Sequence, residues 1–143
     1  MSRVGDLTVS RMMKEQLLRS ATLVRKPKGT VLFQHGDPGI GVYLIRRGTV
    51  SLALDVANPA FPPRLCGPGA VVGLPAAVAG GRYSLTAEVL KDAELAFVSR
   101  DGLMRCLAQS PQLCLEVMQL LSGEIAGTRA ALKERARPLS RGA

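Results

Sequence analysis

Between residues 30 and 98 the chain is cut into short apolar segments by closely spaced turn signals, and this punctuation admits strands far more readily than helices. Residues 30–34 are β-branched and apolar. His35-Gly36-Asp37-Pro38-Gly39 then forms a dense turn signal. Residues 42–45 read as a second strand and Arg46-Arg47-Gly48 as a tight turn. Residues 49–54 alternate, with Val50, Leu52 and Leu54 on one face and Thr49, Ser51 and Ala53 on the other, the pattern of a half-buried strand. A proline-rich loop covers 58–63, and 70–72 make a short strand. Tyr83, Leu85, Ala87 and Val89 alternate with Ser84, Thr86 and Glu88. Lys91-Asp92 turns the chain, and 94–98 form a last strand. So many short strands at this spacing imply an antiparallel sandwich or barrel.

Helical periodicity brackets this region. Met13, Leu17 and Ala21 recur every four residues across 10–21, and a basic turn at 25–29 ends that helix. After residue 98 the period changes again. Ser99 is placed to cap a helix carrying Leu103, Met104 and Leu107. Ser110-Pro111 supplies a second cap with proline at the first helical position. The last helix is expected over 111–135. Its stripe of Leu113, Val117, Leu120, Leu121, Ile125, Thr128 and Leu132 runs about six turns, longer than packing on one small barrel requires. A second copy of the chain is the expected occupant of the excess. Residues 1–9 are expected to be a flexible N-terminus, 10–135 one domain, and 136–143 a basic tail after Pro138 stops the helix.

Charge sharpens this division. The net charge of +8 sits at the two ends: residues 1–28 hold seven Lys/Arg against two acids, and 129–143 hold five against one. Such ends make weak, salt-sensitive, sequence-blind contact with nucleic acid a possible use. With aromatics at 3%, there is no stacking platform for single strands. No apolar run is long enough to cross a membrane, and the N-terminus lacks an apolar signal core. Cys66, Cys106 and Cys114 are odd in number and lack C-x-x-C spacing, which suits free thiols in the cytoplasm rather than disulfides or zinc.

Catalytic constellations are absent. His35, the sole histidine, lies in a turn with no acidic or nucleophilic cluster near it in sequence. A metal-binding small barrel wants two or three imidazoles, so no metal is expected. Neither a Walker loop nor a dinucleotide fingerprint occurs, and no cofactor is expected. The chain therefore reads as a non-enzyme. The one stretch with binding chemistry is 67–87, GPGAVVGLPAAVAGGRYSLTA. Its glycine turns and single arginine would suit an anion held by backbone N–H groups.

Taken in order, three segments resemble the cyclic-nucleotide-binding domain of the bacterial Crp/Fnr regulators. They are KGTVLFQHGDPGIGVYLIRRGTVSLAL (28–54), GPGAVVGLPAAV (67–78) and SLTAEVLKDAELAFVSRDGLMRCLAQSP (84–111). The resemblance covers roughly 10–135. It implies a mainly β fold, a jelly-roll-like β-roll or double-stranded β-helix, with a short N-terminal helix and a long C-terminal helix that dimerises. It also implies a phosphate cassette whose pocket would be formed by Gly73, Leu74, Ala76, Ala77, Arg82, Tyr83 and Ser84.

The cassette departs from the family's pattern. Where members that bind a cyclic nucleotide carry Gly-Glu, with the Glu on the ribose hydroxyl, this chain has Gly73-Leu74. Pro75 has no N–H to offer a phosphate. The family arginine, six residues before the Ala of the next strand, would fall on Gly81, and Arg82 stands one residue later where Ser or Thr is usual. The family's helix-turn-helix reader is also not expected within residues 136–143. Three readings stay open at this point. One is a sensory or regulatory module, dimeric and a poor binder of cyclic AMP or GMP, acting in signalling or transcription regulation with an unidentified small effector. A second is a receptor for a cyclic nucleotide or other small anion through Arg82 and the cassette amides. The third is a nucleic-acid-binding protein using its basic ends.

Overall fold

The computed structural model describes residues 8–54 and 62–122. The first described residues are tied down: Thr8 bridges Ala70, and the N–H of the buried Val9 donates to the Gly69 carbonyl. Thr8 and Val9 are thus held to the segment that precedes β5 in sequence, residues 69–70. Helix α1 spans Arg11–Arg19, with the Ser10 hydroxyl accepting from the Met13 N–H at 3.1 Å. Met13 and Leu17, four residues apart, share its buried face.

Strand β1, Thr22–Lys26, follows at once. The basic turn expected over 25–29 is thereby corrected. Arg25 and Lys26 belong to β1 and pair with Glu94 and Ala93, and the turn is confined to residues 27–30, where Thr30 bonds the Pro27 carbonyl. The remaining strands are β2 (Val31–Phe33), β3 (Gly41–Ala53), β4 (Arg64–Cys66), β5 (Val71–Val72) and β6 (Thr86–Ser99). Between β5 and β6 lies the short helix α2, Leu74–Ala79. Helix α3 is Arg100–Gln109, and α4 occupies 111–122 as far as the description reaches. Ser99 and Ser110 cap α3 and α4 by accepting from Gly102 and Leu113 N–H groups.

All strand pairings are antiparallel, in the order β1-β6-β3-β4, with β2 also on β6 and β5 also on β3. Two further expectations are corrected here. Arg46-Arg47-Gly48 and Lys91-Asp92 are not hairpin turns but the bends of two continuous strands, β3 and β6. Register passes from Ile45↔Leu95 to Val50↔Val89 through shifts at Arg47↔Glu94 and Thr49↔Lys91. Paired bulges let both strands bend without losing one another. Gly48 makes the nesting possible. It holds φ at +92°, and a Cβ there would lie 2.5 Å from the Asp92 carbonyl oxygen.

Two cores lie on either side of the sheet. Phe33, Ile45, Leu52, Val72, Tyr83 and Leu95 fill the roll interior, and Met13, Leu17, Leu44, Val71, Leu103 and Leu113 fill the layer beneath the helices. The neighbours Leu44/Ile45, Val71/Val72 and Leu95/Ala96 each send one side chain to each core, as alternation along a strand requires. The second face of residues 49–54 is likewise covered: Ser51 and Ala53 are buried along with Val50 and Leu52. This is the jelly-roll-like architecture expected, mainly antiparallel β with flanking helices. Cys66, Cys106 and Cys114 are not joined in disulfides. No described helix is long and apolar enough to cross a membrane.

Candidate functional site

Gly73 opens the cassette at φ +91°, a left-handed conformation that admits glycine. A Cβ at this position would crowd the Gly41 carbonyl oxygen at 3.1 Å, the Tyr83 ring at 3.1 Å and the Phe33 ring at 3.3 Å. The chain then enters α2 with Pro75 in its first turn, so one of the amides that could face an anion is missing. Gly80, at φ +72°, ends the helix by donating to the Ala76 carbonyl.

The two-core arrangement divides α2. Leu74 is 1% exposed and packs in the helix-side core, with Ala77 beside it, whereas Ala76 belongs to the roll interior. The side chain directly after Gly73 is thus directed into hydrocarbon under the helices. It does not line the cavity.

Tyr83 occupies the interior instead. Its ring stacks on Phe33 with centroids 3.8 Å apart and planes 12° from parallel. Its hydroxyl donates to the Gly41 carbonyl at 2.7 Å and accepts the Gly41 N–H at 3.2 Å. Burial pushes the Tyr83 phenol above its ordinary value, against the opposing pull of its hydrogen bonds to backbone. What remains between Phe33, Leu52, Gly73, Pro75, Ala76, Tyr83, Ser84 and Leu85 is about 10 Å³. That is room for one water at most, where small-molecule sites usually offer some ~300–1,000 Å³.

Arg82 is exposed and is not among the residues lining this space. Its guanidinium donates to the Gly36 carbonyl at 2.8 Å. The whole 81–83 segment is stitched to the 36–39 turn: Gly36 N–H to Tyr83 carbonyl, Gly39 N–H to Gly81 carbonyl, and Tyr83 N–H to Asp37 carbonyl. Ser84 stands exposed at the cavity rim. His35 is an exposed turn residue, bonded through its N–H to Thr86 Oγ1. Among the described residues, no cluster of His, Cys, Asp or Glu is arranged to hold a metal ion.

Gly73, Ala76, Tyr83 and Ser84 are therefore brought together, while Leu74 and Ala77 face the other core and Arg82 lies outside. Phe33 and Leu52, which complete the cavity, were not anticipated. Their signal was weak, since nothing local ties the end of β2 to a tyrosine fifty residues later. Of the expected helix stripe, Leu113 and Val117 are 0% and 3% exposed within this one chain, and Leu120 and Leu121 pack partly on the same core. Ile125, Thr128 and Leu132 lie outside the described residues, as do residues 58–61 of the expected proline-rich loop at 58–63, residues 1–7 of the first basic segment and the whole of the second, 129–143. Among the described residues of α4, the large apolar side chains left to solvent are Leu115 and Met118, three residues apart.

Comparison with known proteins places these features. The family profile described as "Cyclic nucleotide-binding domain" matches residues 23–110. The "Anaerobic regulatory protein" of Bacillus subtilis (strain 168) is 29% identical over 122 residues, covering 83% of this chain and 51% of that protein. The chain thus spans about half the length of that relative. Among solved structures, the catabolite activator protein of Thermus thermophilus superposes with a TM-score of 0.72 at 22% identity, over 90% of this chain and 61% of that one. A cyclic nucleotide-binding domain from Methylobacillus flagellatus KT gives 0.67 at 26% identity, over 96% of this chain and 80% of that one.

Proposed function

The chain belongs to the cyclic nucleotide-binding domain family, of the Crp/Fnr type, and from that premise we propose that it is a non-catalytic regulatory module whose nucleotide site no longer serves cyclic AMP or GMP. The observation that carries this is the Phe33–Tyr83 stack, pinned to Gly41 through the phenol, which leaves about 10 Å³ where the ligand would sit. A nucleotide would have to unstack the pair, break both Gly41 bonds and do without a ribose-binding carboxylate after Gly73. The anion-receptor reading draws little support, because the Arg82 guanidinium already satisfies the Gly36 carbonyl. Calorimetric titration tests the proposal directly. No saturable heat is expected with either nucleotide, and low-micromolar affinity for either would overturn it.

The module acts as a homodimer through α4, by way of its outer face. Leu115 and Met118 are 62% and 64% exposed and lie on one side of the helix, whereas Val117 supports the monomer's own core. Leu115→Asp with Met118→Asp yields a folded monomer by light scattering. Val117→Asp unfolds the chain instead. A wild type that is already monomeric would rule out the dimer while leaving the cassette reading intact.

A further inference from the structure

A cavity far roomier than the one at the cassette lies elsewhere on the roll. It lies at the shared bend of β3 and β6 and measures about 400 Å³, lined by Arg25, Lys26, Pro27, Arg47, Asp92, Ala93 and Glu94. Three stretches far apart in sequence meet here because of strand register. Arg25 and Arg47 both stand opposite Glu94, on its two sides, in β1 and β3. Lys28 is held next to Asp92 by its backbone N–H, and Lys91 follows β6 around the bend. The exposed Arg46 sits beside Arg47.

Arg25, Lys26 and Arg47 line the cavity with Asp92 and Glu94, and the exposed Lys28, Arg46 and Lys91 adjoin the lining residues along the chain. Half of these cations come from the middle of the sequence, which is close to neutral as a whole. The acids present do not quench the patch. Glu94 is shared between Arg25 and Arg47 at 3.8 Å each, and both guanidiniums remain mostly exposed, 87% and 77%. Ion pairs that long and that wet contribute little, so either arginine can turn to an incoming carboxylate without a large penalty. Arginine offers such a partner two parallel N–H donors.

We propose that this bend is a docking surface for an acidic segment of a partner protein, with Arg25 and Arg47 taking its carboxylates and Lys26, Lys28, Arg46 and Lys91 steering its approach. The cavity is open to solvent, with exposed cations next to its lining residues along the chain, which suits an extended chain better than a small enclosed metabolite. Asp92 and Glu94 sit within the patch. A peptide can space its carboxylates around them, and its backbone N–H groups can bond them. A continuous phosphate backbone would have to pass them with its charges fixed. The proposal is independent of whether the cassette takes a nucleotide.

The test is fluorescence anisotropy of a labelled peptide of mixed Glu, Asp and Ser titrated with the full chain at low salt. Saturable binding that weakens with added salt is expected. Arg25→Glu with Arg47→Glu should weaken it by about tenfold or more. The charge-matched Arg19→Glu with Arg105→Glu, at exposed sites on α1 and α3, should weaken it by less than about twofold. Circular dichroism melts confirm that both variants fold. Absence of saturable binding, equal losses in the two variants, or tighter binding of a short DNA duplex through the same two arginines would each overturn the proposal.

Discussion

The cassette cavity and the basic bend are both built on β3 and β6, yet they are opposites in chemistry. Leu52 of β3 and the residues just before β6 wall the cassette, and there an aromatic pair has closed the space to about 10 Å³. At the bend the same strands turn together around Gly48, and charged side chains outside them leave about 400 Å³ open. The shared scaffold decides where a cavity can exist. Whether it stays one depends on a few side chains: Tyr83 and Phe33 fill theirs by stacking, while Arg25 and Arg47 cannot collapse onto each other because like charges repel.

Several substitutions would break or sharpen this contrast. The largest effect belongs to Leu74→Glu, which places the family's carboxylate after Gly73. Because Leu74 points into the helix-side core, the change is expected to cost more than about 4 kcal/mol in urea unfolding rather than create nucleotide affinity. A stable, cyclic AMP-binding variant would mean that the position faces the cavity after all. Next is Tyr83→Phe, which keeps the stack and removes both Gly41 bonds. A loss of about 1–2 kcal/mol is expected. The same phenol gives a pH signature. Its folded value is raised above the ordinary 10.0, so its contribution is full below pH 10.0 and declines as pH rises toward the folded value. The alkaline fall in melting temperature should therefore be shallower in Tyr83→Phe than in wild type. The smallest effect is at the bend, where Arg25→Ala changes stability by no more than about 0.5 kcal/mol. A larger loss would show that the ion pairs there are structural, and so not available to a partner.

Local signals were the legible part of the sequence. Ser99 and Ser110 announce α3 and α4 because a cap involves residues only three positions apart. The strands of the roll were visible through alternation and turn residues. The bends were misread as turns because a bulge uses the same glycine and charged residues as a hairpin, and only register against the partner strand tells them apart. Strand β1 was hidden because its five residues carry one inward apolar side chain, Val24, amid Leu23 and two cations. The direction of Leu74 could not be read from a chain position, since α2 serves two cores at once. The meeting of Phe33 with Tyr83, like that of Arg25 with Arg47, is a product of long-range register, which composition and spacing do not encode.

The closed cassette is the centre of this account, and amide chemical shifts report on it residue by residue. On titrating the nitrogen-15-labelled protein with cyclic AMP and then cyclic GMP, the amides of Gly41, Gly73, Ala76, Tyr83 and Ser84 should stay in place at millimolar nucleotide. Saturating shifts at those amides in the micromolar range, with displacement of the Phe33 and Tyr83 ring signals, would show that the stack opens for a nucleotide and would contradict it.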